Sequence, residues 1–117
     1  METKYDYIVN ILLDKFYTKG RGCDARGFYD ANSFTVLKGS IIVKSSVPSL
    51  TWKEKREKLL KEYTVSNGDK LKLESDKTFS SPSTAADFCI GSSNNGWLVW
   101  KDKDCQTLDA VYRKQLE

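Results

Sequence analysis

The segment SPSTAADFCIG, residues 81–91, constrains the fold more than any other stretch because it carries both boundary signals of a helix. A serine followed by a proline is typical of a helix start, since serine caps free N–H groups and proline suits the first helical position. Gly91 is the expected end. The adjacent alanines Ala85 and Ala86 lie on the inward face and allow another element to approach closely. The segment predicts a short helix packed into a small core.

The next segment, WLVW, predicts a strand after a tight turn at residues 94–96. In a strand, Trp97 and Val99 would point to one face and Leu98 and Trp100 to the other. Because both faces are then apolar, we expect this strand to be central, with at least one tryptophan in the core.

Short β-like runs separated by glycine-rich turns make up the first half of the chain. The expected strands are residues 16–18, 27–29 and 33–38, with turns at 20–27 and 30–32. We expect residues 41–43 to continue the third strand after a bulge at Gly39. The first half therefore predicts a small antiparallel meander.

A helix is expected to follow residue 51, because Thr51 and Glu54 match a T-x-x-E capping box and place the start at Trp52. One stripe of this helix carries Trp52, Arg56, Leu59, Leu60 and Tyr63. Its other residues include glutamate–lysine pairs four apart, which are most simply a solvated face. A turn at 67–69 then leads to a short strand at 71–73, with which Phe79 is expected to pair.

The two ends of the chain are expected to lie outside the domain. Residues 1–15 show the apolar spacing of an amphipathic helix, which we interpret as a linker from a longer protein. Leu116-Glu117 is interpreted as the remnant of an affinity tag. A last helix is expected after Thr107. The sequence thus predicts a single α+β domain over residues 16–115, with a small, mostly antiparallel sheet of five to six short strands and three to four helices.

The chain contains no histidine, which excludes hydrolysis by a serine or cysteine with a histidine base. Three scattered cysteines, Cys23, Cys89 and Cys105, cannot close a structural zinc site without histidine. The string DKDC lacks the glycine and the distal glutamate of a calcium loop. We therefore expect a non-enzymatic protein without metal or cofactor. An enzyme would regain support only if a deep pocket gathered carboxylates, such as those of Asp24, Asp30 or Asp87.

The charge balance allows a polyanionic partner without requiring one. The net charge is +3, and nine lysines and arginines face four acids between Lys38 and Lys72. No apolar run is long enough to span a bilayer. No secretory signal is visible, so we expect a cytoplasmic protein without a membrane partner.

Several strings resemble the domain-of-unknown-function family 4357. They are SSPSTAADFCIG, SSNNGWLVWKD and KDCQTLD in the second half, and CDARGFY, DANSFTVLKGS and VPS in the first. The resemblance covers residues 16–112, but Cys105 stands where the family usually has a turn glycine. The second half is also similar to the restriction-enzyme adenine-methylase-associated domain, which has a proline-serine-alanine helix and a tryptophan strand.

The resemblance implies a DNA-associated module without catalysis of its own. Such domains occur at the C-terminus of GIY-YIG nucleases or beside restriction and methylation enzymes of bacterial type. This chain has no GIY…YIG pattern, so the resemblance implies no nuclease activity.

Two functions follow as hypotheses. The first is a nucleic-acid-binding (DNA-binding) accessory domain of a DNA-processing or restriction-type system. Candidate phosphate contacts are Arg21, Arg26, Lys38, Ser40, Lys44, Ser81 and Ser83, and candidate base contacts are Asn95, Trp97 or Trp100, and Lys101. The alternative is a protein-interaction module that positions a partner catalytic domain. In that case the tryptophans and Ser81 would be structural, and the basic residues would be scattered.

Overall fold

A computed structural model describes residues 14–113 of the chain. They form one α+β domain with seven short strands in two antiparallel sheets and four helices, so the predicted fold class is confirmed. The strands are β1 (Phe16–Thr18), β2 (Ala25–Asp30), β3 (Ser33–Val36), β4 (Ile41–Ile42), β5 (Thr64–Asn67), β6 (Lys70–Leu73) and β7 (Lys77–Phe79). The helices are α1 (Lys53–Tyr63), α2 (Pro82–Ile90), α3 (Gly96–Val99) and the wide π-type turn α4 (Asp109–Arg113). A 3₁₀ turn, Gly20–Gly22, joins β1 to β2.

The two predictions for the chain ends lie outside the described residues. These are the helix over residues 1–15 and the tag remnant at 116–117. Of the predicted helix, only residues 14 and 15 are described, and they are not helical. Within residues 14–113, no helix combines the length and the apolar character needed to cross a bilayer.

Four strands form the first sheet, in the order β1-β2-β3-β7. The β2–β3 hairpin turns at Ala31 and Asn32, whose φ angles of 49° and 72° are typical of a two-residue type I′ turn. Phe34 and Val36 enter the main core, whereas Leu37 on the opposite face packs in a separate small cluster with Phe28. The predicted antiparallel meander is confirmed for β1, β2 and β3.

Three strands form the second sheet, in the order β4-β6-β5. The prediction that residues 41–43 continue β3 is wrong, because the chain changes sheets at Gly39. That residue has a φ of 90°, which a residue with a side chain rarely adopts. Its N–H donates to the Leu73 carbonyl at 2.9 Å, and this bond joins the turn to the second sheet.

The pairing predicted for Phe79 is also wrong. β7 completes the first sheet, where Phe79 lies opposite Phe34. The strand that contains Leu71 instead pairs with β4 and with β5, which follows α1 directly. The residues of β5 carry no apolar alternation, since only Val65 is apolar among TVSN, and sequence reasoning did not identify this strand.

Helix α2 forms where the boundary signals predict it. The Ser81 hydroxyl accepts the Thr84 N–H at 3.1 Å, and Pro82 occupies the first turn. Gly91 ends the helix with a φ of 81°. A side chain at this glycine would place its Cβ 2.3 Å from the Ser45 carbonyl oxygen, so a close approach of the backbone also requires glycine. The inward face of α2 is fully buried and contacts β3, β4 and β7.

The predicted central strand at WLVW is wrong. Residues 96–99 form the single turn of α3, and the Asn95 side chain caps it by accepting the Trp97 N–H at 3.0 Å. Gly96 lies against the start of α2, where a Cβ would come within 2.3 Å of the Pro82 carbonyl oxygen. This contact turns the chain just before the apolar run WLVW. Because that run is so short, its pattern alone does not distinguish a helix from a strand. Trp100 follows α3 and is completely buried.

Helix α1 starts without the predicted capping box. Its first helical residue is Lys53, preceded by Trp52, and no side chain caps the helix at this end. The inward stripe is confirmed in the buried Leu60 and the half-buried Leu59 and Tyr63. The same stripe also carries Arg56 into the interior, where the side chain is 0% exposed.

Candidate nucleic-acid interface

The outer face of the second sheet carries two lysines of β6. Side chains alternate along a strand, so Leu71 and Leu73 face the interior while Lys70 and Lys72 face outward. Lys72 lies between two apolar residues in register, Ile41 on one neighbouring strand and Val65 on the other. This face therefore presents positive charge on a partly apolar surface.

The 3₁₀ turn before β2 adds Arg21 at one side of these lysines. A Cβ at Gly22 would lie 3.3 Å from the Lys70 Cε, so the lysine stem passes directly over the turn. The Arg21 guanidinium donates from Nη1 to the Ile90 carbonyl at 2.9 Å. Arg21 thus satisfies a carbonyl at the end of α2 while its side chain stays exposed.

Arg26 and Lys38 lie on the other side of the lysines, next to Gly39. The Arg26 Nη2 donates to the Lys38 carbonyl at 3.0 Å, and this side chain is half-buried. The Lys38 side chain is exposed, and its backbone N–H donates to the Asp76 carboxylate at 2.7 Å. Because Gly39 bonds to Leu73, this pair lies beside the end of β6.

We call these five cations the basic strip: Arg21, Arg26, Lys38, Lys70 and Lys72. Within residues 14–113 the ion pairs are Lys70–Asp69, at 3.4 Å with Asp69 90% exposed, and Arg113–Asp109. Four of the five cations therefore have no carboxylate partner in the described part of the chain. Exposed ammonium and guanidinium groups of this kind can neutralise phosphates and release counterions.

The predicted phosphate-contacting serines all make hydrogen bonds inside the protein. Ser40 is 1% exposed, and its hydroxyl accepts the Arg26 N–H at 3.1 Å. The Ser81 hydroxyl caps α2, and the Ser83 hydroxyl accepts the Gly96 N–H at 2.9 Å. These contacts make Ser40, Ser81 and Ser83 structural residues in this conformation.

The two tryptophans differ in exposure. Trp100 is 0% exposed and stacks on Phe34 with ring centroids 4.3 Å apart, so its ring cannot reach a base. Trp97 is half-buried, with Tyr29 against its edge at 5.2 Å and the Arg113 guanidinium over its ring at 4.7 Å. Stacking on that ring face would require Arg113 to move. The neighbouring Asn95 is exposed, but its side-chain oxygen is used in capping α3.

The remaining two predicted residues lie away from the strip. Lys44 is exposed and lines a cleft between α1 and the inner face of the second sheet. Lys101 is exposed beside β1, where its backbone exchanges two hydrogen bonds with Tyr17 at 2.7 and 3.0 Å. Of the eleven predicted residues, Arg21, Arg26, Lys38 and the buried Ser40 lie on or beside the two turns that adjoin β6, where Gly22 lies against Lys70 and Gly39 bonds to Leu73.

Sequence reasoning did not name Lys70 and Lys72 as site residues, although they contributed to the local basic excess. The signal was present in the string KLKL, whose alternation places both leucines on one face and both lysines on the other. Alternation along a strand does not predict that Arg26 and Lys38 lie beside β6, because their position depends on the change of sheet at Gly39.

The interior holds a further cation, Arg56, which lies on the predicted stripe of α1 but whose hydrogen-bond partners the sequence did not predict. The Arg56 guanidinium donates to the Phe88 carbonyl at 3.0 Å, to the Ser46 hydroxyl at 3.0 Å and to the Val43 carbonyl. Burial lowers the pKa of Arg56 to about 10, and the neighbouring Arg21 guanidinium also lowers it. Arg56 therefore joins α1, the end of α2 and the loop after β4.

The three carboxylates that would have supported an enzyme lie at separate positions. Asp24 and Asp30 are exposed at opposite ends of β2, and Asp87 is half-buried on α2. Burial raises the pKa of Asp87, while the bonds from the Asn94 N–H and the Trp52 indole N–H lower it. Among residues 14–113, no group of three or more Cys, Asp or Glu side chains could hold a metal ion.

The fold and its surface define a small α+β domain that combines a tightly packed, capped helix with a basic outer sheet face. The chain belongs to the family of the domain of unknown function DUF4357, whose sequence pattern matches residues 16–112. The expected family membership is thereby confirmed over the expected range. Neither the curated proteins nor the solved structures contain a match to this chain.

Proposed function

We propose that this domain is a nucleic-acid-binding accessory module without catalysis of its own, and that it binds DNA through the basic strip. The observation that carries the proposal is the pair of outward-facing lysines on β6, flanked by the turns that carry Arg21, Arg26 and Lys38. Four of these five cations have no carboxylate partner in the described chain. Exposed lysines of this kind suit phosphates, whose contacts supply most of the affinity of non-specific DNA binding.

The spacing within the strip supports contacts to successive phosphates. Lys70 and Lys72 are two residues apart on a strand, which corresponds to about 6.6 Å. Because both ammonium groups project from the same face of β6, they can contact one phosphate backbone without rearrangement of this strand.

The proposed binding depends on phosphates rather than on the identity of bases. The burial of Trp100 removes one base-stacking candidate, and the other, Trp97, already carries Arg113 over its ring. Base edges are read by free side chains. We therefore infer that the isolated domain has little sequence preference and that a partner domain supplies specificity.

A DNA-processing or restriction-type system is the proposed context. Support comes from the predicted similarity to the restriction-enzyme adenine-methylase-associated domain, which stays a prediction. The proline-serine-alanine helix that carries this similarity is present as α2. The tryptophan segment departs from it, because residues 96–99 form a helical turn in this chain.

The experiment is a titration of a labelled 20-base-pair duplex and of its single strands with the full chain at low salt. The test variant replaces Lys70 and Lys72 with glutamine, and the matched control replaces the exposed lysines Lys55 and Lys103, which lie outside the strip. We expect the test variant to bind at least tenfold more weakly and the control to match the unaltered chain. Absence of binding at high micromolar protein would falsify the proposal.

The alternative function, a protein-interaction module, is favoured by a different observation. Ser81, Ser83 and Trp100, which lie in the segments that carry the family resemblance, all make internal hydrogen bonds. Motif residues that maintain a fold are compatible with a domain that positions a partner. The open edge of the second sheet at β5 offers a surface suited to such a partner.

A further inference from the structure

Within residues 14–113, β5 forms an unprotected edge of the second sheet. On its other side, β4 is covered by a backbone bridge between Ile41 and Asp24, with reciprocal hydrogen bonds of 2.9 Å. β5 pairs with β6 on its inner side and has no strand on its outer side among residues 14–113. An open edge presents backbone donors and acceptors to any extended chain of matching chemistry.

The register shows which backbone groups point outward. The Leu73 N–H donates to the Ser40 carbonyl and its own carbonyl accepts the Gly39 N–H, so Leu73 is directed away from β5. Both backbone groups of a residue in an antiparallel strand point to the same side, and the side alternates. Lys72 is therefore bonded to its partner Val65, and the next residue of β5, Ser66, directs its N–H and C=O outward.

A cleft of about 320 Å³ lies beside this edge, between α1 and the inner face of β5 and β6. Its walls include the apolar side chains of Leu60 and Leu71 and the side chains of Thr64 and Ser66 on β5. A volume of this order lies at the lower end of ligand pockets and suits one or two side chains. Strand addition would place alternate side chains of a bound peptide on this face.

The charged residues of the cleft favour an acidic occupant. Lys44 and Lys61 line it, both exposed and neither in an ion pair within the described chain, against the single carboxylate of Glu57. Leu60 and Leu71 line a concave space that an apolar side chain can enter and that offers nothing to a sugar-phosphate backbone. An acidic side chain next to an apolar one matches both features.

The opposite face of the same edge offers a second apolar contact. Val65 is 45% exposed there, one of the large apolar side chains that the described fold leaves in solvent. In a peptide added beside β5, the side chains that do not enter the cleft would lie next to Val65. Apolar residues at those positions would remove it from water.

We propose that the β5 edge and its cleft bind an extended acidic peptide segment of a partner protein, which adds to the second sheet as a fourth strand. The Ser66 backbone supplies hydrogen bonds, the Leu60–Leu71 wall accepts an apolar side chain, and Lys44 and Lys61 accept a carboxylate. The cleft opens on the inner face of the sheet, whereas Lys70 and Lys72 of the basic strip lie on the outer face. The domain can therefore hold DNA and a partner protein together.

The test uses the full chain labelled with ¹⁵N and a synthetic eight-residue peptide in which positions 1, 3, 5 and 7, which share one face of a strand, alternate valine and glutamate, and the other positions are valine. Its matched control has lysine in place of each glutamate. We expect the acidic peptide to shift the amides of Thr64, Ser66 and Leu71 and to protect the outward amide of Ser66 from exchange, and the basic peptide to leave all three unchanged. Absence of these shifts at millimolar acidic peptide, or equal shifts with both peptides, would overturn the proposal.

Two variants separate the parts of the proposed site. Ser66→Pro removes an outward N–H, while the bonds between Val65 and Lys72 stay possible, and it should abolish binding of the acidic peptide. The combined change Lys44→Glu and Lys61→Glu keeps the backbone and should weaken binding at least tenfold, whereas the same changes at Lys55 and Lys103 should not. The glutamate pair keeps the test valid if the proline variant does not fold.

The same variants distinguish the peptide site from the DNA site. We expect duplex binding to depend on Lys70 and Lys72 and to be reduced less than threefold by the glutamate changes at Lys44 and Lys61. A different result would assign the cleft to the nucleic-acid interface. In that case duplex DNA shifts the amides of the cleft, and the changes Lys44→Glu and Lys61→Glu abolish DNA binding but leave peptide binding unchanged. That result would reject the peptide site, and it would keep DNA binding while moving it from the basic strip to the cleft.

Discussion

The indole nitrogen of Trp100 donates a hydrogen bond to the backbone carbonyl of Pro82 at 3.0 Å, and both residues are buried. Pro82 stands at the first position of α2, and Trp100 follows α3. The bond therefore joins the beginning of one helix to the end of the next. It explains how a tryptophan in a polar-flanked segment serves packing rather than recognition.

The change Trp100→Phe should destabilise the fold by about 2 kcal/mol, because it leaves the buried Pro82 carbonyl without its donor and reduces the packed volume. Chemical unfolding in urea followed by circular dichroism measures this difference. The control is Trp97→Phe, since Trp97 is half-buried and makes no indole hydrogen bond to a described residue. Equal destabilisation by the two changes would contradict the assigned role of the Pro82 bond.

The change Arg56→Ala should destabilise the fold by about 3 kcal/mol or more. It leaves buried acceptors on Phe88 and Val43 unsatisfied and creates a cavity beside α2. The neighbouring change Lys55→Ala, at an exposed position, should stay within about 0.5 kcal/mol of the unaltered chain. Thermal unfolding of both variants measures the difference, and a small effect at Arg56 would show that water replaces its bonds.

The change Gly91→Ala should cost at least about 3 kcal/mol, because strain at positive φ adds to a contact of 2.3 Å between the new Cβ and the Ser45 carbonyl oxygen. Gly68→Ala is the matched control. Gly68 also has a positive φ, of 66°, but nothing lies within 4 Å of its Cβ position. Its cost should be about 1–2 kcal/mol from strain alone. Similar unfolding midpoints for the two variants would argue against the close approach at Gly91.

The change Ser81→Ala should lower stability by about 1 kcal/mol through loss of the helix cap, yet leave DNA affinity unchanged. Fluorescence titration with duplex DNA, well below the unfolding temperature, separates the two effects. A tenfold loss of DNA affinity in this folded variant would instead assign Ser81 a phosphate contact at the start of α2.

DNA binding should weaken with added salt in proportion to the phosphates that the basic strip contacts. Each contact contributes a slope of about −0.9 to the plot of log affinity against log salt concentration. Replacing Lys70 and Lys72 with glutamine should therefore reduce the slope by about 1.8, while the paired replacement of Lys55 and Lys103 leaves it unchanged. An unaltered slope in the Lys70 and Lys72 variant would move the phosphate contacts elsewhere.

Local signals predicted some of these features from sequence. Helix α2 formed as expected because its cap, its first-turn proline and its terminal glycine act within a single segment. The β2–β3 hairpin formed for the same reason, since a two-residue turn determines its register. Both elements depend on residues close together in the chain.

Contacts between distant residues determined the features that the sequence did not predict. The helical turn at residues 96–99 depends on the approach of Gly96 to Pro82, and the second sheet depends on the change of direction at Gly39. The acceptors of Arg56 come from residues 43, 46 and 88, so its burial follows only from the assembled fold. The basic strip could be predicted only in part. The alternation of Lys70 and Lys72 with leucines in β6 was visible in the sequence, whereas the positions of Arg21, Arg26 and Lys38 beside this strand were not.

The hydrogen bond from the Lys38 N–H to the Asp76 carboxylate closes a long excursion of the chain. Between these residues run the whole second sheet and α1, while β3 and β7 on either side pair directly in the first sheet. Because the two ends of this segment, at Lys38 and Asp76, lie next to each other, a short hairpin turn between β3 and β7 could replace it without changing the first sheet. The excursion nevertheless supplies Ile42, Leu60 and Leu73 to the common core. A shortened chain would therefore close its first sheet but expose apolar surface, and we expect it to aggregate rather than to fold as a minimal domain.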